Sequence, residues 1–379
     1  MKKIYNILNI LFVASLFALG PTMLFAVPNY LFIILLVVSA LFIISDRLYL
    51  RVLSNKEVSI QIQFALILLI TAMLSRYADE ALAGFLSFFI ACVMGIFSSF
   101  LIKDENDFKR ILTAITVGGF ILVVFYMRSA SLSALQTRQL TEGVLSLNSF
   151  SHTIIISFCA GFMLLNLSIS KPFKFLIIGI LFVFFIALIL SGSRQSLVTI
   201  LTLFVVYIVV KSLLLKKGGI KNILIGVVAL ISVGYFLMLY GSDTVLLKRM
   251  AETNVEEDER FELITIAFEL FLNSPIIGHG IGTFKYYNDF YVYTHNTFLE
   301  LLFVGGILSL FLFLKGHYSL VKFIFLGKFP NLGLSAASIA VLISFIISGQ
   351  FFIFYDSKLA LILFFSIIYF HRNLYSYER

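Results

Sequence analysis

The sequence has no tryptophan, 2 cysteines and 5 prolines, and only 13% of its 379 residues are charged. A soluble domain carries about 25% charged residues, so charge this sparse excludes a soluble globular enzyme. A disordered chain is excluded too, because disorder needs low hydrophobicity and high net charge. Cys92 and Cys159 lie inside apolar runs, so nothing supports a disulfide framework, and redox compartment cannot be read from them. What the chain has in excess is apolar: 60% of residues are hydrophobic, with 43 Phe and 17 Tyr, and the mean hydropathy is +1.04. This is the composition of a polytopic membrane protein. The net charge of +8 fits that class, because Lys and Arg accumulate in cytoplasmic loops. No basic run alternates with aromatics in a soluble segment, so no nucleic-acid partner is expected.

A helix crossing about 30 Å of hydrocarbon needs roughly 20 apolar residues. Runs of that kind predict an all-α transmembrane bundle of about twelve spans, at 5–26, 29–45, 58–75, 81–102, 111–128, 149–169, 174–191, 195–215, 222–240, 295–314, 333–350 and 357–371. The first pair is split only by Ala26-Val27-Pro28-Asn29, and the last pair only around Gln350 to Lys358. Lys2-Lys3 and a small-x-small site at Ala18-Leu19-Gly20 also allow a signal peptide. The apolar run continues past that site to Ala26, which favours an uncleaved first span. With the N-terminus inside, 19 of the 28 basic residues fall in cytoplasmic segments, and this Lys/Arg bias sets the orientation, with both termini cytoplasmic.

The chain then divides into an N-terminal bundle over 1–240, a long outer loop over 241–294 and C-terminal spans over 295–379. A smaller outer loop covers about 129–148. Long ordered loops are usually functional, so chemistry is expected on the outer face. Within the long loop, Phe261, Ile264, Phe268 and Leu272 recur at helical spacing, giving an amphipathic helix headed by Arg260 and ended by Asn273-Ser274-Pro275. It either lies against the outer leaflet or caps the bundle. Gly278-His279-Gly280-Ile281-Gly282 follows. Its spacing and position after a helix exclude a dinucleotide fingerprint; it is either a tight turn or a nest of amides for an anion. His295-Asn296 then opens a membrane helix from the outer side, with Glu300 one turn deeper and Gly305-Gly306 beyond. The plain alternative for this pair is a helix cap with interfacial polar residues. A polar knot, Ser191-Gly192-Ser193-Arg194-Gln195-Ser196, sits between two apolar runs on the same face. Arg194 there is an interfacial arginine or a fixed cation for phosphate, a task to which the guanidinium fork is suited.

Ser193-Arg194 at a span mouth, an Arg260-headed helix, Pro-Ile-x-Gly-x-Gly-x-Gly-x-Phe from Pro275, and His-Asn-x-Phe-Leu-x-Leu-x-x-x-Gly-Gly from His295 together resemble the O-antigen ligase/polymerase family. The resemblance covers about 191–310, where both order and spacing agree; Ser309 stands where such sequences often carry another small residue or Gly. It implies a membrane glycosyltransferase working on the outer face of the bacterial cytoplasmic membrane. The implied donor is a glycan on undecaprenyl diphosphate, and the acceptor is a second lipid-linked glycan or lipid A-core. By the same resemblance Arg194 and Arg260 bind the diphosphate, His295 orients or deprotonates the acceptor hydroxyl, and Asn296 holds His295 or a sugar hydroxyl. Gly278, Gly280 and Gly282 would line the substrate.

Arg128 and Arg138, on the smaller outer loop, are either further phosphate or sugar contacts or plain surface charge. His279 and His152 are expected to have local structural roles. Glu256 to Glu259 reads as a solvated loop face. No metal or cofactor is expected, since the outer loops lack an Asp-x-Asp pair and the chain lacks a Walker motif or zinc spacing. Besides membrane lipids, a chain-length regulator and a flippase are the partners this reading admits. The motifs do not separate a polymerase, favoured by the compact chain and single long loop, from a ligase. A flippase or other transporter is the competing class, but it would place ionisable residues along a path through the membrane. Here the spans are nearly free of charge.

Overall fold

Apolar runs broken by short polar turns leave the backbone one economical solution in lipid, the helix, which satisfies its own N–H and C=O groups. The computed structural model describes residues 55–100, 102, 104–129, 147–191, 193–215, 259–289, 293–327, 329–350 and 353–374. In chain order the helices are α1 (Lys56–Leu74), α2 (Ala78–Phe100), α3 (Glu105–Ser129), α4 (Leu147–Leu164), α5 (Lys171–Leu190), α6 (Arg194–Leu215), α7 (Glu259–Asn273), α8 (Thr297–Leu326), α9 (Leu332–Ser348) and α10 (Lys358–Tyr369). A 3₁₀ turn at Phe284–Tyr286 precedes α8, and a π-helical turn at Phe370–Leu374 follows α10. No strand occurs among the described residues. Among the described residues six helices are long and apolar enough to cross a membrane: α1, α2, α3, α5, α6 and α8. Shorter apolar stretches cover Phe150–Leu164 and Leu332–Ser348. The protein is a membrane protein. The expected spans at 5–26, 29–45 and 222–240 lie outside the described residues.

The helices pack as two units. One contains α3 to α6 with α9 up to Ser344; the other contains α1, α2, α7, α8, α10 and the last turn of α9. Both units draw helices from either side of the long loop, so the linear division at 241 and 295 follows chain order, not packing.

In the first unit α3 and α4 meet closely because Gly119 faces Ser157 and Gly161 faces Thr116, the small-residue contact that lets membrane helices approach. At one end Tyr126 stacks on Phe150 with ring centroids 3.8 Å apart, and Ser151 and Ser191 hydroxyls are 3.1 Å apart. At the other, Tyr207 donates to Asn166 Oδ1 at 2.7 Å, Lys211 donates to the Tyr207 oxygen at 3.0 Å, and Asn331 donates to Asn166 O at 2.8 Å.

In the second unit α1 and α8 run antiparallel. Gln61 lies against Gly316 and Leu68 against Gly305, while Phe64 meets Phe313 with centroids 6.4 Å apart. At one end the fully buried Glu57 accepts from Arg372 Nε at 2.8 Å, from Arg372 Nη2 and from Ser319 Oγ at 2.8 Å. The guanidinium carbon of Arg372 lies 3.6 Å from the centre of the Phe323 ring. A buried carboxylate is tolerated when its oxygens are paired this fully.

The expected span at 295–314 differs from α8 in two respects. The helix continues twelve residues further, to Leu326. Lys315 remains exposed on the helix surface with its ammonium 5.4 Å from the Phe311 ring centre, and the buried His317 donates from Nδ1 to Phe313 O at 3.0 Å. Neither polar residue therefore has to end the helix. The break lies instead inside the apolar run, where Gly305 (φ −143°, ψ 21°) and Gly306 (φ 63°, ψ −163°) leave helical geometry.

Candidate active site at the head of helix α8

Unwinding a membrane helix frees carbonyls that must find donors. In α8 those donors come from the loop after α7. His279 N donates to Phe303 O at 2.7 Å, Gly280 N to Val304 O at 3.0 Å, and Ile307 N to Pro275 O at 2.9 Å. Ser309 closes the gap: its hydroxyl donates to Leu301 O and lies 3.0 Å from Gly306 O. The fit is backbone against backbone. A Cβ on Gly278 (φ 71°) would meet Gly305 N and Phe303 O at 2.6 Å, and one on Gly306 would meet Pro275 O and Ile276 O at 2.5 Å. The two glycine motifs, twenty-five residues apart in sequence, are thus halves of one joint.

This joint changes the reading of the glycine turn. Gly278 N donates to Ser274 O at 3.0 Å, and with the His279 and Gly280 amides also engaged, these three do not form an anion nest. Gly280 and Gly282 are left-handed, with φ of 95° and 78°, and Gly280 packs on Ser75 and Ala81. Ser75 donates to His279 O, fixing the end of α1 to the turn. His279 has the local role expected of it: Nε2 lies 2.8 Å from Leu270 O, and its ring stacks on Phe303 at 5.1 Å. Around it Tyr77 stacks on Tyr286 at 5.0 Å.

From the joint, the short stretch Thr297–Val304 leads back beside the rest of α8 toward His295, because Ser309 Oγ reaches Leu301 O eight residues away. Among the described non-glycine residues only His295 has positive φ, 55°. Its neighbours impose this. Asn296 Oδ1 caps the helix, accepting from Phe298 N at 2.9 Å and Leu299 N at 3.1 Å. Thr294 Oγ1 accepts from Asn296 N at 3.2 Å and donates to Asn296 O at 2.9 Å, while Thr294 N donates to Glu300 Oε2 at 3.3 Å. Thr297 N donates to Gly349 O at 2.6 Å, and Thr297 Oγ1 accepts from Phe354 N at 3.2 Å. Held on both sides, His295 is half-buried, its ring 4.6 Å from that of Tyr293.

The Tyr293 phenol is raised above its ordinary pKa, first by partial burial and then by the carboxylates Asp356 and Glu300. Two acidic groups therefore act electrostatically at the head of α8. Asp356, in the turn before α10, was not singled out by sequence reasoning. Its signal was the polar break Tyr355-Asp356-Ser357-Lys358 between two spans on the same face. Among the described residues no three His, Cys, Asp or Glu side chains gather as a metal site requires.

The remaining candidates distribute as follows. Arg260 occupies the second position of α7, in the same unit as His295. Arg194 is the first residue of α6, next to buried Ser191, Ser193 and Ser196; the Ser193 and Ser196 hydroxyls are 2.6 Å apart. Arg128 is exposed in the last turn of α3, at the end of the first unit where Tyr126, Phe150, Ser151 and Ser191 meet. Arg138 and Glu256 to Asp258 lie outside the described residues.

Residues 179–314 match the family model described as O-antigen ligase. That segment of the chain is similar to the O-antigen ligase family. The matched segment begins within α5 and ends within α8, so it holds the Ser191–Ser196 knot, the Arg260 helix, the glycine joint and the His295 cap. No curated protein matches the chain. With its apolar helices, the O-antigen ligase match supports a membrane enzyme of O-antigen biosynthesis that acts on lipid-linked glycans.

Proposed function

We propose that the protein is a polymerase of lipid-linked oligosaccharide repeat units, acting on the outer face of the bacterial cytoplasmic membrane with both termini inside. The observation that carries this reading is His295, which lies inside the matched segment and is held in a left-handed conformation beside the Asn296 cap. Such strain persists where the surroundings over-determine it, and it clusters at active sites.

In this reading an acceptor sugar hydroxyl attacks the anomeric carbon of a polyprenyl-diphosphate-linked glycan. The C1–O bond to phosphate breaks, the hydroxyl proton passes to His295, and the electron pair leaves with the lipid diphosphate. A neutral imidazole suits the proton transfer near pH 7. Arg194 and Arg260 stabilise the charge developing on the diphosphate, the role a divalent cation would otherwise fill. Asn296, whose Oδ1 is committed to the helix cap, offers its amide nitrogen to a sugar hydroxyl. Gly278 and Gly280 act through the joint, Gly282 faces Gly84 of α2, and Arg128 and Arg138 contribute outer positive charge. A chain-length regulator and a flippase are the protein partners.

A ligase that passes finished polymer to lipid A-core uses the same parts, and a deletion strain separates the two. Loss of a polymerase leaves envelope glycolipid carrying at most one repeat. Loss of a ligase leaves none attached while lipid-linked polymer accumulates, which would overturn the polymerase assignment. An unchanged polysaccharide profile would overturn both.

A further inference from the structure

Helix α7 has three faces. Leu263 and Ala267 are buried at 2% and 0% exposure. Glu262, Thr265, Glu269 and Asn273 form an exposed polar strip. Phe261, Ile264, Phe268 and Leu272 form a separate strip, exposed at 61%, 39%, 49% and 58%. At about 100° per residue these are adjacent stripes of one helix. A helix surrounded by water on its outer sides has no use for the apolar stripe, and a core helix would bury it.

The stripe does not end with the helix. Ile276 and Ile277 are exposed at 62% and 46%, and they sit at the joint, where Ile276 O faces Gly306 and Pro275 O accepts from Ile307 N. Beyond the joint the flank of α8 is exposed and apolar at Ile307, Leu308, Phe311 and Leu314. The stripe is therefore continuous with the surface of a helix long and apolar enough to cross a membrane, and whatever covers that flank reaches the stripe.

We propose that α7 is an interfacial anchor. Its Phe261, Ile264, Phe268 and Leu272 stripe is set among the acyl chains of the leaflet at the level of the joint, with the Glu262 and Glu269 side in water. Apolar area supplies the attachment, as it does for helices lying in the plane of a bilayer. The acidic face gives no attraction to anionic headgroups. Anchoring holds the segment that carries Arg260 at the membrane surface.

The absence of tryptophan makes a direct test available without any activity assay. The full chain carrying F268W, or independently I264W, is placed in nanodiscs whose phosphatidylcholine is brominated on the acyl chains near the glycerol. Strong quenching of F268W and I264W, with E269W unquenched, is expected. Two results would overturn the anchor. Red-shifted, unquenched emission from F268W or I264W means that the stripe faces water, and blue-shifted, unquenched emission means that protein, a second copy or a partner, covers it.

Discussion

At position 295 the main chain adopts φ of 55°, a conformation that costs an L-residue roughly 1–2 kcal/mol. Two caps hold it there, so the strain and the imidazole are separable by substitution. His295→Gly removes the ring and relieves the backbone; His295→Ala removes the ring and keeps the Cβ. The Gly variant is expected to be more stable than the Ala variant by about 1 kcal/mol, read from thermal unfolding in detergent. Both are expected to lose transfer by about 100-fold or more, the usual contribution of a general base. Equal stability of the two would show that the left-handed conformation is not strained. Sequence reasoning pointed to His295 and Asn296 through their position at a helix start. It did not show that Asn296 spends its side-chain oxygen on the cap, because the alternatives of cap and ligand use the same residue type at the same place.

Between elements, the account turns on the joint of the Pro275–Gly280 loop with the broken α8. Gly306→Ala combines a left-handed φ with a Cβ at 2.5 Å from two carbonyl oxygens. Both contacts are backbone, which has little room to yield. The variant is expected to lose at least about 2 kcal/mol of stability, and Gly278→Ala, facing the same joint, to behave alike. Wild-type melting temperature in either variant would contradict the interlock. The Glu57–Arg372 pair closes the other end of this unit. Glu57→Ala is expected to cost about 3 kcal/mol or more, because it leaves a partly buried guanidinium without its acid. Replacing both residues with Leu and Met is expected to restore most of the loss, as measured by thermal unfolding.

These pairings explain what was and was not legible. The run at 174–191 became α5 and the amphipathic pattern at 260–272 became α7, because periodicity and apolar length are local properties. The joint brings together residues 24 to 32 apart, and the ion pair residues 315 apart; no local pattern encodes either. Lys315 directly follows the expected span at 295–314, yet the helix passes it with the ammonium 5.4 Å from the Phe311 ring centre.

For the molecule as a whole, the sequence reading puts the C-terminal Arg372 on the cytoplasmic side and His295 at the outer mouth of a span. In the second unit Glu57 and Arg372 meet at one end and Ser75 and the joint lie at the opposite end, while the head of α8 bonds to Phe354 N, beside Tyr355, whose ring is 6.2 Å from Phe64 in the middle of α1. The most direct test is transfer by the purified full chain, supplied with a lipid-diphosphate-linked repeat unit and no nucleotide sugar. The account predicts lengthened lipid-linked glycan with wild type, and loss of that product with His295→Ala and with Arg260→Ala. Full transfer by both variants, or no turnover of the lipid-diphosphate donor by folded wild type, would contradict it.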